Sequence, residues 1–370
     1  MKTINGIFVK IASVENIEAS VCEAANGKRR KRSVRYALKN RAVIARRLHE
    51  QLTNGTWRPP EKHHAHPIGD GVTSKKRVVV CPEFIREQVV HHAILRVLAP
   101  LITRRFDRWS CGSVPGRGQE DIARMLKRRM RKNPRRFKYF AKEDVSKFFD
   151  SIDTEALKAA IRRIISDRRV LDLIDLIIDG NAVEDGCGNV RRTGVPIGFF
   201  TSPWFANIAL DGMDKVVRSN HIHVFARFMD DFVMFSANKR DLMRALRAAE
   251  EVISEFGLRF KFQKAYFRFG DEWANGVRMT SFAICRKGME LRDRIYLRAR
   301  RRGSRILRKI RNHKRVTATD AGAIISYAGK FRAFGAYRAF VKDVLKDNKI
   351  KFGTLRRLVS FRAKKERQVA

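Results

Sequence analysis

Two adjacent aspartates, Asp230 and Asp231, fall between two β-prone apolar runs, Val224–Phe228 and Phe232–Phe235. That pattern predicts a hairpin that presents both carboxylates at its turn. Carboxylates this close repel, and beside apolar strands a cation is the simplest way to neutralise them. Hard divalent ions take oxygen ligands, and a pair of them can clamp the attacking and leaving oxygens of an in-line displacement. A third carboxylate, Asp144, follows the apolar run Phe137-Lys138-Tyr139-Phe140 and precedes Val145-Ser146-Lys147-Phe148-Phe149. An Asp-Asp pair alone reads as a solvated turn. With the Asp144 segment upstream, it reads as a metal-dependent displacement site.

Charge points to the substrate class. The chain carries 80 Lys and Arg against 38 Asp and Glu, a formal charge of +42 over 370 residues. Such a chain repels itself unless a polyanion compensates, so nucleic acid is expected in the working state. Ribosomal-type structural binding and anionic membrane surfaces give the same signal. A hydrophobic content of 44% with 25 Phe argues for a packed core rather than a basic tail. Five scattered cysteines (Cys22, Cys81, Cys111, Cys187, Cys285), none in a Cys-x-x-Cys pair, argue against a disulfide framework or zinc knuckle and suit a reducing cytoplasm. His63-His64-x-His66 lies in a Pro-flanked loop without the cysteine or carboxylate support of a metal site. No apolar run approaches a membrane span, and no signal-peptide core opens the chain.

The elements that must position these residues follow from pattern. Residues 1–60 read as mainly helical, with a basic run at Lys28–Arg32 and a helix over Arg41–Leu52 ending at Asn54-Gly55. A strand, Ser74–Val80, is entered through a cationic turn, and a helix after Pro82 sets Ile85, Val89, Ala93 and Val97 on one face. Ser110–Gln119 reads as a glycine-rich loop. A central block then alternates strand and helix: the strand ending at Asp144, a helix over Thr154–Ile165 capped by Asp153, and a hairpin near Gly186-Cys187-Gly188. Gly194–Gly198 opens an apolar helix, the Asp230–Asp231 hairpin follows, and a helix spans Arg240–Phe256. The expected class is α+β. From Arg292 onward, 79 residues hold 25 Lys and Arg against 5 Asp and Glu, with Ile295, Ala299, Ile306 and Ile310 at helical spacing beneath the charge. That predicts an amphipathic helix whose basic face tracks a phosphate backbone.

In order along the chain, these segments resemble reverse transcriptases. Asp144-Val-Ser-Lys-Phe-Phe149 resembles their first catalytic motif, Gly194-Val-Pro-Ile-Gly198-Phe-Phe-Thr-Ser202-Pro203 the second, and Phe228-Met-Asp-Asp231 the third. Gly257-Leu-Arg-Phe-Lys-Phe-Gln-Lys264 is similar to the fourth. Lys75–Val80 and Val89–Ile94 resemble the fingers of the prokaryotic branch, and Ser326-Tyr-Ala-Gly329 a thumb helix. The resemblance implies a right-hand polymerase fold, with fingers over 1–135, palm over 136–290 and a basic helical thumb over 291–370. It implies that Asp144, Asp230 and Asp231 serve two Mg²⁺ ions (Mn²⁺ being the alternative), Asp231 in a supporting role. Lys264 would protonate pyrophosphate. Lys76 and Arg77 would meet the triphosphate, Phe149 the sugar 2′ position, and Ile197 and Gly198 the incoming nucleotide.

Arg300, Arg301, Arg302, Arg305 and Arg308 are the candidate nucleic-acid contacts. Ile197 stands where retroviral and intron enzymes carry glutamine, so the chain looks most like the enzymes of diversity-generating retroelements and of related phage-defence systems. The implied partners are an RNA template (a cognate non-coding RNA), the DNA product or RNA–DNA hybrid, and dNTPs, in a prokaryotic cytoplasm. An accessory protein or a second copy is left open, and no membrane is expected. Two rival readings are weakly templated or protein-primed synthesis for defence, and a basic RNA-binding scaffold with a vestigial site.

Overall fold

A computed structural model describes every residue except 1–2, 70–75, 181–182, 185–189, 192, 262–264, 271–275, 348–349 and 369–370. The chain divides into two compact units. One comprises Met1–Pro115, Glu143–His221 and Met243–Lys264; the other comprises Gly116–Lys142, Ile222–Leu242 and Ala265–Ala370.

In the first unit, the expected N-terminal helices are Phe8–Ala12, Val14–Ala24, Arg32–Lys39 and Arg41–Thr53. They pack with helix Val89–Thr103, burying Ile17, Val21, Ile44, Leu48, Val90 and Ile94. The Asp167 carboxylate pins the start of the chain by accepting the amides of Ile7 and Phe8 at 2.8 and 2.9 Å. These are donors that a helix N-terminus leaves unpaired. A π turn, Phe84–Gln88, leads into Val89–Thr103 and shifts the expected periodicity. Burial runs unbroken from Glu87 to Leu95, while Ile85 and Val97 are only half-buried. The helix is wrapped on several sides rather than laid on one.

The hairpin His64–Gly69/Lys76–Cys81 is antiparallel. Val183–Glu184 pairs with Val190–Arg191 around the expected Gly186–Gly188 hairpin, whose tip, with Cys187, lies outside the described residues. The Asp153 carboxylate caps helix Thr154–Arg162, accepting from the Ala156 amide at 2.8 Å. Ser110–Cys111 forms a short strand rather than loop, and helix Ser202–Ser219 buries Trp204, Phe205, Ile208 and Met213.

In the second unit, strands Val224–Phe228 and Asp231–Ser236 form the expected hairpin. Strand Tyr139–Asp144 runs beside Asp231–Ser236, and Phe267–Arg268 pairs on its far side. Tyr139–Asp144 passes from this unit into the other after Lys142. Phe137, Phe140, Phe235 and Phe269 are buried together, with ring separations of 4.7–6.4 Å among them. A three-stranded antiparallel sheet, Val277–Met279, Phe282–Cys285 and Gly288–Leu291, leads to the C-terminal helices.

Helices Asp293–Arg311, Ala318–Ala333 and Phe352–Gln368 supply one hydrophobic cluster that includes Ile295, Ala299, Ile306, Ile324, Phe331 and Leu355. Ile310 departs from the expected apolar line. It is 46% exposed, next to the last residue of its helix and beyond the packed stretch.

One buried carboxylate ties these helices together. Asp320 forms a capping box with Thr317 and accepts from Lys309 Nζ at 2.6 Å and Arg302 Nη2 at 3.0 Å. Burial pushes its carboxyl up, but the hydrogen bonds from Lys309 and Thr317 outweigh this and hold it at about 2, against an ordinary 3.8. A folded-state pKa below the unfolded one stabilises above the unfolded pKa and is lost as pH falls through the folded one. Asp320→Asn should therefore lower Tm at neutral pH. The difference from wild type should shrink as pH drops from about 4 to about 2, the window set by that shift. Arg302→Gln should also lower Tm. Thermal melts of both variants against pH decide it; a wild-type Tm for either removes the lock.

Candidate active site

Pairing of Phe228 with Asp231 leaves Met229 and Asp230 as a two-residue turn. Met229 takes the left-handed φ of +59° that such turns demand. Fully buried Arg227 donates from Nη1 to the Met229 carbonyl at 3.2 Å, fastening the turn from below. Asp231 is gripped on both oxygens: Lys142 Nζ stands 2.8 Å from Oδ1, and the Thr280 amide donates to Oδ2 at 3.2 Å. Thr280 is itself left-handed (φ +48°), an unusual state for a β-branched residue. Its carbonyl accepts from Arg292 Nη1 at 3.2 Å and Arg294 Nη2 at 2.9 Å. Asp231 is thus held in place by its neighbours, while Asp230 sits half-buried at the tip.

Asp144 closes its strand in the other unit, braced by the segment that begins at Gly257. Its carbonyl accepts from the Lys261 amide at 2.8 Å, and the Ser146 amide donates to the Arg259 carbonyl at 2.9 Å. The Lys261 ammonium lies 3.9 Å from Asp144 Oδ2. Sequence reasoning favoured Lys264, which lies outside the described residues. Lys261, missed there, is a lysine of this segment set beside a carboxylate; its one signal was membership of the Gly257–Lys264 run.

Beyond Asp144, left-handed Lys147 (φ +44°) turns the chain into the short helix Phe148–Ser151. Phe148 is buried and Phe149 half-buried, their rings edge-on at 5.2 Å. The core role falls on Phe148, which leaves Phe149 partly accessible. The Phe149 carbonyl accepts from Val195 at 2.8 Å and the Ile152 carbonyl from Gly194 at 2.7 Å. Farther along the same loop, the Ile197 carbonyl accepts from the Val80 amide at 2.7 Å. Gly198 has φ +123°, and a Cβ there would stand 2.1 Å from the Val80 carbonyl, so only glycine permits this approach. The loop is therefore stitched between the Phe149 segment and strand Lys76–Cys81. Lys76 and Arg77 belong to that strand, but their side chains lie outside the described residues. Ile197 is half-buried.

The arginines divide. Arg300, Arg301, Arg305 and Arg308 are exposed and, with Leu297 and Ser304, line an open groove of about 570 Å³ along one face of helix Asp293–Arg311. Arg302 turns to Asp320 instead. A second basic face went unread in the sequence. On helix Gln119–Lys132, Arg124, Lys127, Arg128 and Arg131 are exposed opposite buried Ile122, Ala123, Leu126 and Met130. The signal was present as basic residues at i, i+3, i+4 and i+7.

Among the described residues, no three His, Cys, Asp or Glu side chains gather into an all-protein metal cage. His63 pairs with Glu87. Mg²⁺ in nucleotide chemistry commonly takes only one or two carboxylates and completes its shell with substrate phosphates and water. Within its own unit, the Asp230–Asp231 hairpin tip, where Asp231 already holds the Lys142 ammonium, offers carboxylate oxygens of the type such an ion takes.

The chain is 26% identical over 245 residues to Protein YkfC of Escherichia coli K12, covering 66% of this chain and 61% of that protein. It is 28% identical over 139 residues to nuclear intron maturase 1, mitochondrial, of Arabidopsis thaliana, covering 34% and 19% respectively. A solved structure of apo telomerase from Candida tropicalis, truncated from the C-terminal domain, aligns at 16% identity and a TM-score of 0.46 over 62% of this chain and 54% of that one. The chain thus spans less than two thirds of the length of each of these relatives. Residues 61–284, more than half of the chain, match the family described as reverse transcriptase (RNA-dependent DNA polymerase). The chain belongs to the reverse transcriptase family, with its α+β, right-hand polymerase fold.

Proposed function

We propose that the protein is an RNA-directed DNA polymerase that extends a primer with dNTPs on an RNA template. The observation that carries this is the Asp230–Asp231 turn, fastened by Arg227, Lys142 and Thr280 in a member of a family whose chemistry depends on a divalent metal. Residues 1–135, 136–290 and 291–370 are read as fingers, palm and thumb. Asp144 and Asp230 would hold two Mg²⁺ ions, with Asp231 in support. Such ions would supply activation of the primer 3′-hydroxyl and charge stabilisation on the departing pyrophosphate.

The chain's own residues do the rest. Phe149 stands against the sugar and excludes a 2′-hydroxyl, and Ile197 packs on the incoming base. Lys76 and Arg77 grip the triphosphate, guanidinium forks matching phosphate oxygens, and Lys264 delivers a proton to pyrophosphate. Arg300, Arg301, Arg305 and Arg308, with the Arg124–Arg131 face, track phosphodiester backbones. Ile197 in place of glutamine supports a setting among diversity-generating retroelements or phage-defence systems, with a dedicated non-coding RNA as template. Sequencing RNA and DNA that co-purify with the protein tests that setting.

Asp230→Asn and Asp144→Asn should each keep the fold and RNA binding but lose DNA synthesis by several orders of magnitude, because an amide cannot neutralise the metal. Substantial dNTP incorporation by either purified variant would sink the assignment. Neutralising Arg300, Arg301, Arg305 and Arg308 together should weaken RNA binding and flatten its salt dependence, by up to about 0.7–0.9 log units per lost phosphate contact. An unchanged slope places the polyanion surface elsewhere. Ile197 offers shape but no hydrogen bond, and a site that checks by hydrogen bonding rejects misfits at about 1–3 kcal/mol per stranded group. Ile197→Gln should therefore lower the error rate on a defined template, read by sequencing products. Equal error spectra at comparable activity would remove Ile197 from base selection.

A further inference from the structure

Behind the Gly194–Gly198 loop lies a group of buried polar side chains that the proposed chemistry does not use. Glu87 is fully buried, and His63 Nε2 lies 2.9 and 2.8 Å from its two oxygens. Glu87 Oε1 is also 4.0 Å from Nε2 of His91, itself fully buried. On the other side of that ring, His91 Nδ1 is 3.4 Å from the hydroxyl of Thr201, again with no exposed surface. The Phe199 ring is held edge-on between the imidazoles of His63, at 5.2 Å, and His91, at 4.9 Å. Phe200, 41% exposed, stacks on His92 at 3.8 Å.

A buried carboxylate hydrogen-bonded to an imidazole is a weak source of stability, since desolvation offsets most of the attraction and here pushes the Glu87 carboxyl up. Its better-attested use is to fix one arrangement among several. We propose that Glu87, His63, His91 and Thr201 form a positioning cluster that locks the loop carrying Ile197 and Gly198 from behind, so that nucleotide binding and base selection depend on side chains that never touch the substrate. This rests on the reading of that loop as the nucleotide pocket.

The geometry supplies the lock. Residues 194, 195 and 197 are stitched through their backbone to Ile152, Phe149 and Val80. Residues 199 and 201 are held through their side chains, immediately beyond Gly198. Burial, with the neighbouring His92 and His63, pushes His91 down to about 3, so the ring is neutral and carries one N–H. The neutral ring is flanked on its two nitrogens, by the Thr201 hydroxyl 3.4 Å from Nδ1 and by Glu87 4.0 Å from Nε2. The imidazole packs Phe199 and meets the side chain of Thr201, and Thr201 leads directly into helix Ser202–Ser219.

The test uses the full chain on a primed RNA template. Thr201→Val removes the hydroxyl at constant shape, Thr201→Ser keeps it, and Glu87→Gln removes the charge. Thr201→Val and Glu87→Gln should raise KM for dNTP several-fold, with a smaller change in kcat, and should alter the error spectrum. Thr201→Ser should stay close to wild type. Hydrogen exchange at the Val80 amide, which bonds to Ile197, should quicken in the valine and glutamine variants only. Unchanged KM, error spectrum and Val80 exchange in folded Thr201→Val overturns the proposal, even should Glu87→Gln fail to fold. A wild-type protein that incorporates no dNTP sinks the polymerase reading instead, while Val80 exchange still reads the cluster.

Discussion

Two carboxylates side by side on an apolar hairpin are a liability that the surrounding chain must answer. Their mutual repulsion and the cost of desolvating them set the demands on everything near the turn. Arg227 is buried beneath it, Lys142 is drawn onto Asp231, and the Thr280 amide is bent into the left-handed region to reach the same carboxylate. Asp144 meets the same need through Lys261. Lys142 and Lys261 offset the carboxylates' charge within the folded chain, while Arg227 fastens the turn through the Met229 carbonyl.

The same constraint explains what could be read in the sequence. The hairpin at Asp230–Asp231 and the strand ending at Asp144 were legible because each carboxylate follows or interrupts an apolar run. Their partners were not. Thr280 lies 49 residues from Asp231, and nothing local marks a threonine as the donor to a distant carboxylate. Histidines 63, 64 and 66 were weighed as metal ligands because they are neighbours in sequence, whereas His63 finds Glu87, 24 residues away. The helix over Val89–Thr103 was expected, but the π turn ahead of it moved Ile85 off the buried face, and a wide turn has no periodic signature. On the arginine-rich helix, charge was legible and phase was not. Arg302 differs from Arg301 only by facing Asp320.

The +42 formal charge is therefore not one surface. Part of it is structural, spent on Asp320, Asp231 and Asp144. Part lies on two helical faces whose opposite sides are apolar and packed. Composition reports the sum; only burial and pairing separate the arginines that hold the protein together from those available to a polyanion.

The Thr280 turn has a mechanical meaning. Arg292 and Arg294, at the start of the arginine-rich helix, hold the Thr280 carbonyl, while the Thr280 amide, in the preceding peptide unit, donates to Asp231. Two guanidiniums and two consecutive peptide units thus form a short, stiff tether between that helix and the acidic hairpin. The acidic hairpin and the start of that helix are thereby joined through a single residue, Thr280.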